Sequence, residues 1–316
     1  MQLLDRCQGC LVGLAVGDAL GGPLEFMSAD EIVARYGGLV REMVGGGWLH
    51  LRPGEVTDDT QMTLCITESI VERRTFDMAD VAQRFVNWYD GQPKDIGNIT
   101  RLALAALKRG VPWQEAGRIA HQQTGGRSAG NGSVMRCAPL ALYRWRDYRQ
   151  LIADSVASSR VTHWDDLACY GAAALNLVIA ELLQGRRQGA LGTAIQMLRG
   201  VAPQVTRRLA GVKQRSLADL RPTGFVLDAL EAAVWCWQHV GSFEEALVAA
   251  VNLGGDADTV GAICGALAGA DFGLTGIPSR WLEVLEEQAH LAHLAEVLYR
   301  LSGAQQERGD TSALTA

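Results

Sequence analysis

The stretch Gly9-Cys10-Leu11-Val12-Gly13-Leu14-Ala15-Val16-Gly17-Asp18-Ala19-Leu20-Gly21 sets a glycine at every fourth residue of an otherwise mostly apolar run. The pattern returns near the other end of the chain, in Gly261, Gly265, Gly269 and Gly273. A glycine inside a helix costs about 1 kcal/mol relative to alanine, so eight of them at this spacing need a reason. Residues four apart line one ridge of a helix. A ridge of glycines is a flat strip on which another backbone can lie closely. The reading is two tightly packed helices, one from each end of the chain. The alternative is two small-residue buried helices with unrelated partners. A membrane span is not expected, because Asp18, Glu25 and Asp271 interrupt the runs and no stretch of about 20 apolar residues stands out.

Helical periodicity extends to most of the chain. It predicts helices over about 3–20, 60–74, 78–89, 98–109, 113–122, 133–143, 148–158, 165–184, 190–199, 224–239, 243–252, 259–270 and 280–301. Start signals support several of them: Asp77 or Asp80, the pair Asp165-Asp166, and Ser242 with Glu245 three residues later. Short extended pieces are expected around 39–43 and 48–51. No β-α repeat and no interdomain linker is visible. The fold class is therefore all-α, a single orthogonal multi-helix domain over residues 1–301, with 302–316 as a disordered polar tail.

Of the 316 residues 48% are hydrophobic and 20% charged, enough apolar material for a sizeable core, and the net charge is −6. With no basic run, a nucleic-acid surface is not expected. The N-terminal residues lack the features of a signal peptide. Seven scattered cysteines, an odd number, fit reduced thiols in a cytoplasm. Cys7 and Cys10 form a C-x-x-C inside a helical pattern, where buried thiols are expected in place of a redox or zinc site.

Two acidic elements frame the chemistry: Thr57-Asp58-Asp59-Thr60 and Asp256-Ala257-Asp258-Thr259. Alone, the first reads as a helix start, with Thr57 as cap and two aspartates in the favourable end of the helix dipole. The second follows Gly254-Gly255, whose freedom allows a tight turn. If the two elements meet, four carboxylates share one site, and a hard divalent cation, or more than one, is the least costly way to hold them ionised. Oxygen donors without histidine suit Mg²⁺, Mn²⁺ or Ca²⁺ and not structural zinc.

Other candidates carry two readings each. Glu25 is a loop glutamate that could also position or deprotonate water near a metal. Asp95 precedes a helix and could be a cap or a site residue. Gly130-Asn131-Gly132-Ser133 could cradle phosphate on free amides or be a connecting turn. His163, beside Trp164, could be a site residue or structural.

Taken in order, Gly17-Asp18-Ala19 with Glu25, Thr57-Asp58-Asp59-Thr60, Gly130-Asn131-Gly132, Thr162-His163 and Gly254-Gly255-Asp256-Ala257-Asp258-Thr259 resemble the ADP-ribosylglycohydrolase family over nearly the whole chain. Gly45-Gly46-Gly47-Trp48-Leu49, Arg52-Pro53-Gly54 and Lys94-Asp95-Ile96-Gly97-Asn98 resemble the branch that contains dinitrogenase-reductase-activating glycohydrolase, which removes ADP-ribose from arginine. The resemblance implies an all-α fold with a binuclear Mg²⁺ or Mn²⁺ centre at helix N-termini and loops. It implies Thr57, Asp58, Asp59, Asp256, Asp258 and Thr259 as metal ligands and Glu25 and Asp95 as catalytic groups. Asp18, Asn98, Gly130, Asn131, Gly132, Ser133, His163 and Phe225 are implied as substrate contacts. Phe225 stands where that branch has a tyrosine packed on the substrate arginine, and Trp164-Asp165-Asp166 replaces its histidine-rich stretch. The implied activity is hydrolysis of ADP-ribosyl-arginine on a protein, with dinitrogenase reductase one possible target. Serine-linked or O-acetyl-ADP-ribose is the second reading, and a non-catalytic ADP-ribose or toxin binder the third. A cytoplasmic monomer is expected.

Overall fold

A computed structural model describes residues 2–313, with side chains described to residue 303. Sixteen α-helices are present among them. They are α1 (Leu3–Gly21), α2 (Ala29–Tyr36), α3 (Asp58–Arg73), α4 (Met78–Asp90), α5 (Asn98–Lys108), α6 (Trp113–Gln123), α7 (Ala138–Arg144), α8 (Tyr148–Arg160), α9 (Asp166–Leu183), α10 (Arg187–Leu198), α11 (Pro203–Gly211), α12 (Val226–Gln238), α13 (Phe243–Val251), α14 (Ala257–Phe272), α15 (Ser279–Leu282) and α16 (Gln288–Ala313). The all-α expectation holds. The extended pieces near 39–43 and 48–51 do not form strands: the described residues contain only isolated bridges, Ser28 with Gly254, Gly46 with Leu51 and Gly130 with Phe225.

The glycine ladders are the spine of the fold. Helices α1 and α14 run antiparallel, turn against turn. A Cβ on Gly13 would lie 2.5 Å from the Gly265 carbonyl oxygen, one on Gly17 2.0 Å from that of Gly261, and one on Gly21 2.2 Å from that of Ala257. Each neighbour is backbone, so no rotamer change could make room. Gly273 is not a rung of the helix. It ends α14 with φ +75°, and its backbone meets Gly9. This register carries the C-terminal end of α1, with Asp18, to the N-terminal end of α14, with Asp258 and Thr259.

Local chemistry explains where the helices start. Asp77 accepts from the amides of Ala79 and Asp80, Asp165 from Leu167, and Ser242 from Glu245. Helix α2, which hydrophobic periodicity does not reveal, buries only Ile32 and starts on a reciprocal Ser28–Glu31 capping box. Helix α11, also unexpected, carries Pro203 in its first turn, where proline fits. Helix α7 begins at Ala138, after turns in which Asn131 O accepts from Val134 N and Met135 N, and not at 133. The helix expected over 280–301 is broken, because the backbone at 284–286 turns to meet Gly54: Glu286 N donates to Gly54 O at 3.3 Å. Helix α16 runs on past Leu301, into the segment expected to be disordered, and residues 314–316 lie outside the described ones.

Two helical stretches, Leu3–Leu24 and Asp166–Leu183, are long and apolar enough to cross a membrane, contrary to the reading from sequence. Both are packed inside the protein, 94% and 83% buried, as core helices are. All seven cysteines are free.

Candidate metal centre and substrate cleft

Helix α3 opens with Thr57 in extended backbone, but its hydroxyl does not cap the helix. It donates instead to Asp18 Oδ1 at 2.8 Å. Asp18, fully buried, receives the amides of Thr57 and Thr60 and both their hydroxyls, the last at 2.5 Å from Thr60 Oγ1. An aspartate of α1 therefore caps α3 from outside. Burial raises its pKa to about 6, and the four donors hold it lower than burial alone would. Asp18 is thus spent beneath the site and does not line the cleft, unlike the contact role the resemblance implied.

With α3 anchored on α1 and α14 packed along α1, the two acidic elements meet. Thr259 Oγ1 lies 3.5 Å from Asp59 Oδ2. One carboxylate oxygen each of Glu25, Asp256 and Asp258 falls within 4.8 Å of the others. The turn into α14 needs its glycines: Gly254 and Gly255 have φ +74° and +63°, and a Cβ on either would strike the carbonyl of Met27 or Pro222. Asn131 Nδ2 donates to Asp256 Oδ2 at 2.9 Å.

These groups line a cleft of about 440 Å³ with Glu25, Phe26, Trp48, Asp58, Asp59, Asp95, Asn98, Gly130, Asn131, Gly132, His163, Asp256, Asp258 and Thr259 among its walls. Thr57, Ser133 and Phe225 are not among them. Ser133 is buried and accepts from the Ser159 hydroxyl at 2.7 Å. Phe225 packs against the core, and its backbone bridges Gly130. The stacking partner expected there has to be sought elsewhere.

The electrostatics are those of crowded, desolvated carboxylates. Burial, then repulsion from neighbouring acids, pushes Asp58, Asp59 and Asp258 well above the usual carboxylate range. Burial raises Glu25 to about 8, opposed by the Trp48 indole N–H at 2.7 Å and reinforced by Asp95. Asp95 is also raised, by burial first. Asp59 Oδ1 is buried with no hydrogen-bond partner, a costly state for a carboxylate oxygen. An orphaned oxygen among all-oxygen donors, with no Lys or Arg among the lining residues, fits one or more hard divalent cations.

Beneath the cleft lies a group that no pattern in the sequence singles out. Arg136 is fully buried and donates through Nη2 to Thr162 Oγ1 at 2.7 Å, with its guanidinium 4.6 Å from the Phe85 ring centre. Burial lowers its pKa to about 10, countered by Asp58. Since arginine only donates, the Thr162 hydroxyl hydrogen is free for His163 Nδ1 at 2.8 Å. That leaves the ring proton on Nε2, so His163 presents an N–H. Burial, then Arg136, lowers its pKa to about 3, so it stays neutral. Gly130 and Gly132 have no room for a side chain over this ring: a Cβ on Gly132 would lie 2.8 Å from His163 Cε1.

The family description ADP-ribosylglycohydrolase matches residues 1–308. The ADP-ribosylarginine hydrolase Tri1 of Pseudomonas putida (strain GB-1) is 39% identical over 309 residues, spanning 94% of this chain and 79% of that protein. The ADP-ribosyl-[dinitrogen reductase] glycohydrolase of Rhodospirillum rubrum is 36% identical over 283 residues, 89% of this chain and 90% of the other. A solved structure titled ADP-ribosylglycohydrolase-related protein complex superposes with a TM-score of 0.81 at 37% identity, covering 95% of this chain and 99% of that one.

Proposed function

This chain belongs to the ADP-ribosylglycohydrolase family, and on that premise we propose that it removes ADP-ribose from an arginine side chain of a modified protein by metal-dependent hydrolysis of the ribose C1″–N bond. The observation that carries this reading is the meeting of Asp58, Asp59, Asp256, Asp258 and Thr259 in one cleft with Glu25 and Asp95 at its walls. The names of two relatives, an ADP-ribosylarginine hydrolase and a glycohydrolase of ADP-ribosyl-dinitrogen reductase, support arginine as the linked residue. The alternatives keep the family and change the bond, to serine-linked or O-acetyl-ADP-ribose, or keep the grip and lose the chemistry.

In this reading Asp58, Asp59, Asp256, Asp258 and Thr259, with Thr57 behind them, hold two Mg²⁺ or Mn²⁺ ions. Bound there, such cations would supply Lewis acidity and would make water a better nucleophile near neutral pH. The chain's own residues do the rest. The 130–132 loop and the His163 N–H receive the ADP-ribose, and Asn131 steadies Asp256. The C1″–N bond opens through an oxocarbenium-like state. The leaving guanidine takes a proton and water adds its hydroxyl to C1″, with Glu25 and Asp95 as the carboxylates able to handle the protons.

Side-by-side turnover of arginine-linked and serine-linked ADP-ribose on the same carrier protein tests the linkage. The arginine adduct is expected to have a kcat/KM at least about tenfold higher, a difference of about 1.4 kcal/mol in transition-state binding. Preference for the serine adduct would replace this reading with the O-linked one, and no release from either would favour the binding protein.

A further inference from the structure

We infer that Phe26 and Trp48 form the wall on which the guanidinium of the leaving arginine stacks, and that this wall sets the preference for arginine-linked over O-linked ADP-ribose. The inference rests on the arginine reading above.

Phe26 is 70% exposed and Trp48 49%. Their ring centres lie 5.5 Å apart at an inclination of 40°. Both line the cleft, with Glu25 and Asp95. Core packing explains neither ring at that exposure.

Phe26 is held at a conformational cost, and Trp48 by a loop that needs its glycines. Phe26 has φ +65°, in the left-handed region where a bulky residue is strained and glycine is not. Its position is pinned: Phe26 N donates to Gly255 O, and Gly255 N to Met27 O, each at 2.7 Å. Trp48 follows three successive glycines, Gly45, Gly46 and Gly47, with φ of +63°, +93° and +68°. Gly46 and Leu51 exchange backbone hydrogen bonds at 2.7 and 2.9 Å, which closes that loop. A Cβ on Gly45 would lie 2.7 Å from Leu51 O, and one on Gly47 2.9 Å from Pro23 Cα. The indole N–H then donates to Glu25 Oε2 at 2.7 Å and orients the ring. Strain that persists at an exposed cleft residue points to use of that residue.

Aromatic rings beside the carboxylates Glu25 and Asp95 suit a planar cation. A guanidinium gains from an aromatic face and from acceptors at its edge. A diphosphate offers no flat cationic face to the rings. A serine or acetyl group offers neither the plane nor the charge. The aglycone that this end of the cleft selects is therefore the arginine side chain.

Three variants separate the roles. Phe26→Gly removes a ring and relieves the backbone. Trp48→Phe keeps a ring and removes the N–H to Glu25. Trp48→Ala removes both. The ratio of kcat/KM for arginine-linked over O-acetyl-ADP-ribose is expected to fall about tenfold in Phe26→Gly, mostly through KM, with no loss of Tm. Trp48→Phe should lower kcat on both substrates and keep the ratio, whereas Trp48→Ala should lower both the rates and the ratio. Wild-type indole emission, less that of Trp48→Phe, should be quenched saturably by agmatine in the presence of ADP-ribose, and less so in Phe26→Gly. An unchanged ratio or an equal loss on both substrates in Phe26→Gly overturns the inference, as does the absence of a quench. If wild type quenches but releases nothing from arginine, the parent reading of function fails and the wall stands.

Discussion

Replacing Asp59 with asparagine should lower kcat/KM for ADP-ribose release on the order of a thousandfold, the scale of the several kcal/mol that a metal site supplies to a transition state. The same variant should be at least as stable as wild type in EDTA. Asp59 is buried, reaches Thr259 across the seam between α3 and α14, and has one oxygen with no partner. Its pKa is raised well above normal, by burial and then by Asp18, Asp58 and Asp256. A carboxylate with a raised folded-state pKa contributes its full stability only below its unfolded value, about 3.9. That contribution is lost as pH rises through the folded value. At pH 7 without cation, asparagine removes the cost of burying or neutralising that carboxylate. Mn²⁺ should raise the Tm of wild type clearly and that of Asp59→Asn little. A variant with wild-type turnover, or with a full Mn²⁺ shift in Tm, would contradict the ligand role.

Adding one methyl group to the glycine ladder should have the largest effect on stability. In Gly269→Ala the new Cβ would lie 1.8 Å from Gly9 O and 2.4 Å from Gly9 C. Both atoms are backbone, so α1 and α14 must separate or bend. The expected cost is about 3 kcal/mol or more, at the upper end of overpacking. The consequence reaches the site, because parting these helices parts Asp18, and with it α3, from the start of α14. Gly192→Ala in α10 is the control. Nothing lies within 4 Å of its Cβ, and a gain of about 0.5–1 kcal/mol is expected from helix propensity. Urea unfolding of both variants measures the contrast. A Gly269→Ala change within about 0.5 kcal/mol of wild type would mean that the helices do not pack as described.

The ladders were legible because a glycine every four residues has few physical explanations, and the structure pairs the two strips. Helix starts with a side-chain acceptor, such as Asp77 and Ser242, were legible for the same reason: the cap is local. What depends on tertiary register was not. Nothing near Asp18 says that it caps a helix starting forty residues later, or that Thr57 turns its hydroxyl away from its own helix. Phe225 looked like a stacking residue by its position in a motif, yet its ring faces the core. Phe26 and Trp48 escaped notice because an exposed aromatic in a loop has no periodicity. The three glycines ahead of Trp48 were the available signal, and their meaning depends on positive φ angles that sequence does not display. Arg136 has no role legible in sequence, since only the fold brings Thr162 and His163 to it.

The central claim is that two acidic elements from opposite ends of the chain form one cation site that hydrolyses arginine-linked ADP-ribose. The most direct measurement is release of ADP-ribose from an arginine-modified protein by EDTA-stripped enzyme, before and after addition of Mg²⁺ or Mn²⁺. The account predicts no release above background from the stripped enzyme and full activity on readdition. Undiminished release in EDTA, or none with either metal, would contradict it.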